Sequence, residues 1–320
     1  MLTVTIAIIL CYCMGLSAQW ISPETLGLPT YFVMLMPLWI ILMMCCIIFW
    51  LSFKKWGYAL VVIGIMAVTF GQWRNVVTIN KPFKSQQSAV KILTFNTHIF
   101  NNHKEDSFEK VAEFIKKCDA DIVCLQEFGH YHRYGASKQE ILKFFDSIYP
   151  YRHIWFKNQN KWGENGLATF SRYPIIKKKK IEYQSADNIS IYSDIIIEGD
   201  TIRVINNHLE SNKFNKEDRQ FAEKLIDENN NRQEIVDAGL KIGSRLVTGA
   251  KNRVQQAKAV RQTIDETNYP AIALGDFNDV PLSYTYSTIK KNMQDAYSQA
   301  GNWGYHWTYN KSIMFFPIDH

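Results

Sequence analysis

The chain has 320 residues, 47% hydrophobic and 14% aromatic, with 36 Lys or Arg against 30 Asp or Glu and a formal charge of +6. That length holds two average domains, or one large α/β domain of roughly 200–250 residues plus an accessory segment. Six cysteines without a CxxC pair or zinc-finger spacing exclude a disulfide or zinc framework, and the modest positive charge points to acidic surfaces or substrates without naming one.

Charge is unevenly distributed. From Leu2 to Trp73 the only charged residues are Glu24, Lys54 and Lys55. Residues 2–21, 31–53 and 56–73 form three uncharged apolar stretches. A span needs about 20 residues at about 1.5 Å each, so the first two are long enough and the third is at the short limit. Pro37 is compatible with a kinked span, and Trp20, Trp56 and Trp73 stand where interfacial aromatics are expected. The competing reading, buried helices of a soluble protein, asks one core to hide three consecutive apolar runs. Residues 1–75 are therefore expected to be a three-helix transmembrane anchor in a cytoplasmic (inner) membrane.

Lys54 and Lys55 lie between the second and third stretches, whereas residues 22–30 contain Glu24 and no Lys or Arg. The positive-inside rule puts the lysines in the cytoplasm and the chain after Trp73 on the extracytoplasmic side, with Arg74, Lys81 and Lys84 pulling weakly against this. Met1 is followed at once by apolar residues, a poor fit to a signal peptide.

Residues 76–90 read as a linker, polar from Asn80 to Ala89. Residues 91–96 (KILTFN) alternate into a strand, and residues 107–117 have the helical spacing Phe108, Val111, Phe114, Ile115. Residues 121–127 (DIVCLQE) are an apolar run of buried-strand length, which completes the strand, helix, strand opening of an α/β domain. Further strands are expected at 166–171, 202–209 and 271–274. The lysine run 177–180, which follows Pro174, belongs to an exposed strand or turn. Residues 211–266 are rich in helix formers, and 240–261 carry six Lys or Arg and no Asp or Glu. That basic stretch is either a solvated helix face or a surface for anionic headgroups or a nucleic-acid backbone.

Four expected strands end in side chains suited to metal-assisted phosphoryl chemistry: Asn96, Glu127, His208, and Asp276 with Asn278. Strand ends are where α/β folds collect ligand sites. Singly, each has an ordinary explanation: a solvated Glu, a structural His, an Asp-Asn turn. In order, NTH at 96–98, LQE at 125–127, GLATFSRYPI at 166–175, NNHLES at 206–211 and GDFNDVP at 275–281 resemble the endonuclease/exonuclease/phosphatase superfamily. That superfamily includes deoxyribonuclease-I-like nucleases, abasic-site endonucleases, neutral sphingomyelinases and inositol polyphosphate 5-phosphatases.

The resemblance covers residues 91–320 and implies an α/β (α+β) fold, a four-layer α/β/β/α sandwich of two mixed sheets. It implies Glu127 as the main ligand of Mg²⁺, with Mn²⁺ as an alternative, and Asn96 near both metal and scissile phosphate. A hard cation of this kind binds through one or two carboxylates and keeps several waters. By the same resemblance Asp276 orients or deprotonates the attacking water, Asn278 holds a phosphate oxygen, and His208 contacts the phosphate or assists the leaving group. Asn206 of the same NNHL motif joins Asn96 as a substrate contact. In FPIDH at 316–320, Asp319 takes the place of an aspartate that orients a catalytic histidine in a later Ser-Asp-His segment, and His320 is not that histidine. The expectation is that this segment, with one or two core strands, lies beyond residue 320.

The function expected is Mg²⁺-dependent phosphoester hydrolysis by metal-assisted water attack at a lipid bilayer, on a phospholipid headgroup or a nucleic acid. The alternative is a membrane-anchored binding or sensor protein that keeps the fold without catalysis.

Overall fold

A computed structural model describes residues 1–80, 89–100, 107–132, 135–213, 232–305, 308 and 317–320. The described helices are α1 (Leu2–Ser17), α2 (Leu28–Met34), α3 (Met36–Ser52), α4 (Trp56–Val68), α5 (Phe70–Trp73), α6 (Ser107–Cys118), α7 (Lys138–Asp146), α8 (Arg232–Asp265), α9 (Tyr284–Lys290) and α10 (Ala296–Ala300). The strands are β1 (Val77–Thr78), β2 (Ile92–Asn96), β3 (Ile122–Tyr131), β4 (Tyr151–Asn160), β5 (Gly163–Ser171), β6 (Ile175–Ile181), β7 (Ile189–Ile197), β8 (Asp200–His208), β9 (Ala271–Asp276) and β10 (Gly304–Tyr305). They fall into two compact units.

The first unit comprises Met1–Lys84, Ser211–Val254 and Asp279–Ile318. Its core holds Tyr12, Leu16, Val33, Met36, Ile40, Met43, Val62 and Met66, joined by Val280 and Leu282. Leu10, Ile41, Ile48, Leu60, Val61 and Val68 of the same helices stand exposed. Helices apolar on every side are found in large cores or in membranes. Among the described residues no single helix is long and apolar enough to cross a membrane. α2 and α3 pass that test together, bent by 70°, and α1 and α4 are shorter apolar helices. The bend follows from Pro37 at the start of α3, which has no N–H to continue a helix through Leu35. The helix expected to run unbroken over 31–53 is thus divided in two, and helix in the first stretch stops at Ser17.

The units do not follow the linear division at 75 and 90. Val247 of α8 lies where a side chain on Gly27 would go, and Tyr31 lies likewise against Gly243, so residues after 211 share the core of the N-terminal helices. Arg253, 1% exposed, donates Nε to Asp279 Oδ2 at 3.1 Å and Nη1 to Asn212 Oδ1 at 3.0 Å. This cation of the 240–261 stretch is a buried tie and belongs to neither of the two surfaces expected there. Residues 81–88 of the expected linker, with Lys81 and Lys84, and Phe316 of FPIDH lie outside the described residues.

The second unit comprises Ser85–Glu210, Gln255–Asn278 and Asp319–His320. It contains two four-stranded mixed sheets, ordered β2-β3-β5-β4 and β6-β7-β8-β9. β2 and β3 pair in parallel, as do β8 and β9, and the other pairs are antiparallel. Side chains alternate between the two faces of each strand. Ile122 and Cys124 of the first sheet meet Ile195, Val204 and Leu274 of the second. Val123, Leu125, Phe128 and Phe170 face the other way, against Phe108 and Ile115 of α6 and Ile141 and Phe145 of α7. α6 presents Phe108, Ala112 and Ile115 at helical spacing, and a capping box between Ser137 and Glu140 starts α7.

The outer face of the second sheet carries Arg203, which grips Asp194 with Nε at 2.8 Å and Nη2 at 2.9 Å and donates Nη1 to the carbonyl of Thr263 in α8 at 3.2 Å. Helix, sheet, sheet and helix follow in the expected order. The lysine run sits on β6, at the edge of its sheet, where exposed charge discourages strand addition. Residues 317–320 contribute a single antiparallel bridge, Asp276 to Asp319.

Candidate active site

Strand parity brings the side chains together. Ile92 packs in the layer between the sheets, so Thr94 and Asn96, two and four residues on, point the same way. Val204 does likewise on β8, which aims Asn206 and His208 inward, and Leu274 on β9 does so for Asp276. Asn96, His208 and Asp276 are the last residues of their strands. Parallel pairing makes neighbouring strands end together: Asn96 is in register with Gln126, and His208 with Asp276. The amide Nδ2 of Asn96 then bridges the sheets, 3.1 Å from Glu127 Oε1 and 3.1 Å from Asp276 Oδ2.

Parity alone would have turned Glu127 toward α6 and α7. Between β3 and β5 the register steps from Leu125 opposite Ala168 to Phe128 opposite Gly166, so Gln126 and Glu127 together oppose Leu167. This is a β-bulge, and Glu127 is its extra residue, with φ of 48°. Gln126 completes the inward series and donates Nε2 to Asn206 Oδ1 at 2.6 Å, while Phe128 resumes the packing against the helices. Glu127 is left free of both faces and reaches the rim. Left-handed backbone at a non-glycine residue is uncommon and collects at functional sites. Asn278, φ 51°, is a second case. Gly275, at φ 122°, allows the neighbouring turn, since a Cβ there would stand 2.2 Å from the carbonyl oxygen of Asn207.

Glu127 accepts on both oxygens. Oε2 is 3.1 Å from His98 Nδ1, and Oε1 is 3.8 Å from His208 Nε2 as well as bonded to Asn96. Burial would raise its pKa, but the hydrogen bond from His98, the charge of His208 and the Asn96 amide together hold it down to about 2. Burial lowers the pKa of His208, opposed by the carboxylates of Glu127, Asp319, Glu210 and Asp187. Asp276 Oδ1 accepts from the Asn278 backbone N–H at 2.9 Å, which sets the carboxylate plane.

Of the residues expected from sequence, Asn96, Glu127, His208 and Asp276 converge directly. Asn278 adjoins them through its backbone, but its amide Nδ2 donates to the carbonyl of Leu209 at 2.9 Å. Asp319 arrives by its bridge to Asp276, with the Gly275 and His320 main chains exchanging hydrogen bonds of 2.8 and 2.9 Å. Asn206, expected as a substrate contact, lies between the sheets: it is 0% exposed, its Nδ2 donates to the carbonyls of Leu125 and Ala168, and its Oδ1 accepts from Gln126, so it braces the sandwich. His98 was given no role by sequence reasoning, although it completes the NTH triplet that carries Asn96.

The donor set fits a hard cation. The carboxylates of Glu127 and Asp276 stand on either side of the Asn96 amide nitrogen, and carboxylate oxygens are the donors that suit Mg²⁺. Among the described residues no group of three or more His, Cys, Asp or Glu forms a dedicated cage. Mg²⁺ does not require one, because it retains waters and shares substrate oxygens.

Residues 1–76 match a domain of unknown function (DUF8431), and no curated protein matches the chain. Similar solved structures include an endonuclease/exonuclease/phosphatase family protein from Leptotrichia buccalis, at 18% identity, 72% of this chain, 86% of that one and a TM-score of 0.47. Sphingomyelinase C from Streptomyces griseocarneus gives 18%, 64%, 69% and 0.42, and a beta toxin variant from Staphylococcus aureus with bound magnesium ions gives 17%, 65%, 72% and 0.42. Residues 93–320, well over half the chain and the whole of the site just described, match the Endonuclease/Exonuclease/phosphatase family, so the chain belongs to that family of phosphoester hydrolases.

Proposed function

We propose that the chain hydrolyses a phosphoester bond with the aid of Mg²⁺, or Mn²⁺ in its place, by aiming a water molecule at phosphorus. The observation that carries this is the Asn96 amide held 3.1 Å from each of two carboxylates on separate sheets, with His208 beside them. Glu127, ionised at neutral pH, would hold the cation, and Asn96, bonded to its carboxylate, would lie near both cation and phosphate. The cation, when bound, polarises the phosphoryl oxygens as a Lewis acid. Asp276, its plane set by Asn278, orients the water and takes its proton as the new P–O bond forms. His208 stands where it can donate Nε2 to a phosphoryl oxygen or to the departing ester oxygen as the old bond breaks. Donors aimed at developing phosphoryl charge supply most of what a protein contributes to such a reaction.

The exposed apolar band of α1, α3 and α4, with the paired α2 and α3, supports the reading of residues 1–75 as an anchor in a cytoplasmic membrane, the family region lying extracytoplasmically. Anchoring favours a phospholipid headgroup over a nucleic acid as substrate. Bis-p-nitrophenyl phosphate should be turned over only with Mg²⁺ or Mn²⁺, and not by Glu127→Ala. Undiminished turnover in excess EDTA refutes the metal. A chain that binds Mg²⁺ yet turns over no phosphoester is the non-catalytic binding or sensor protein instead.

A further inference from the structure

We propose that His98 is a positioning residue for the carboxylate of Glu127, locking the rotamer in which that group takes the divalent cation; this rests on the metal reading above. The segment Asn96–His98 wraps the bulge at several points. Thr97 donates its N–H to the carbonyl of Gln126 at 2.9 Å and its hydroxyl to that of Glu127 at 2.9 Å, gripping the main chain. Asn96 and His98 then take one carboxylate oxygen each, Oε1 by Asn96 Nδ2 and Oε2 by His98 Nδ1, both at 3.1 Å. The His98 N–H donates in turn to Asn96 Oδ1 at 3.0 Å, so the two holders are locked to each other.

The backbone is bent to achieve this. His98, Ile99 and Phe100 have φ of 48°, 55° and 50°, three consecutive left-handed residues without a glycine, one of them β-branched. Such a run persists only where the surroundings over-determine it. Here Phe100 is buried against Phe108 and Phe128 below, and His98, its side chain 56% exposed, is turned to Glu127 above. An imidazole so exposed contributes little to a core, and its side-chain partner among the described residues is the Glu127 carboxylate. Hydrogen bonds that orient a ligand typically change metal affinity about 10–100-fold when removed.

The test is a Mg²⁺ titration of the whole chain, read by isothermal calorimetry and by the Mg²⁺-induced rise in Tm, for wild type, His98→Ala and His98→Asn. The Asn amide nitrogen takes the place of Nδ1. Half-saturation should move up about tenfold or more in His98→Ala and stay within about threefold of wild type in His98→Asn, with Tm in EDTA alike for all three. A His98→Ala titration that overlays wild type overturns the proposal, as does an Asn variant impaired as much as Ala. Wild type that shows no heat and no Tm rise with Mg²⁺ overturns the metal reading itself, and the proposal with it.

Discussion

Acid should destabilise this protein through one buried histidine. His153 on β4 is 4% exposed, its Nδ1 is 3.0 Å from Ser193 Oγ on the facing sheet, and its Nε2 is buried without a hydrogen-bond partner among the described residues. Burial, aided by the charge of Lys178, pushes its pKa down from 6.5 to about 4. The folded protein therefore keeps His153 neutral at pH values where the unfolded chain protonates it. Stability on this account is complete above pH 6.5, falls as pH drops below that value, and is fully lost by about pH 4. Linkage over that interval gives about 2 kcal/mol lost at pH 5, rising to about 3 kcal/mol below pH 4. Urea unfolding followed by tryptophan fluorescence at pH 7 and pH 5 measures the term. In His153→Leu the difference between the two pH values should shrink by about 2 kcal/mol, whatever the variant loses at pH 7. Identical pH dependence in both proteins would show that His153 is hydrated or already charged in the fold.

Removing one partner of the buried Arg203–Asp194 pair, as in Asp194→Ala, should destabilise by about 3–5 kcal/mol, because Arg203 is left charged and unpaired on the sheet under α8; a shift in urea midpoint worth under about 1 kcal/mol would contradict it. Asp319→Ala removes a carboxylate that supports His208 and should lower kcat by about 10²-fold or more while leaving Mg²⁺ affinity nearly intact, whereas Glu127→Ala should weaken Mg²⁺ binding itself; calorimetry with steady-state kinetics separates the two. Alkaline phosphatase fused after Asn80 should be active and green fluorescent protein at the same point dark, and the reverse pattern would place the family region in the cytoplasm.

Much of the site could be seen in the linear order. Apolar runs ending in Asn96, His208 and Asp276 marked strand ends, whereas β3, expected to end at Glu127, continues to Tyr131, and β2, α6, β5, β8 and β9 fall where the pattern put them, within a few residues. β4 escaped notice because its YRHIWFKNQN is an edge strand with polar residues on both faces. β7 escaped because the charge of Asp194, which interrupts its apolar run, is answered by Arg203 on the next strand, a pairing that the linear order does not show. The basic stretch at 240–261 looked like one surface, yet its Arg253 is buried against Asp279, a residue of the GDFNDVP motif.

Local chemistry, written in residue order, settles which segments can be strands or helices and which strands end in groups that handle phosphate. It does not settle how strands align, since register is a property of pairs and a shift of one residue reverses every side chain. The bulge that frees Glu127 exists only because β3 pairs with β5, and the 3.1 Å contacts of Asn96 exist only because two parallel pairs end at the same level. The same dependence explains Asn206, polar and two residues from His208, which the inward parity of β8 carries into the space between the sheets while His208, one step further along that face, emerges at its edge.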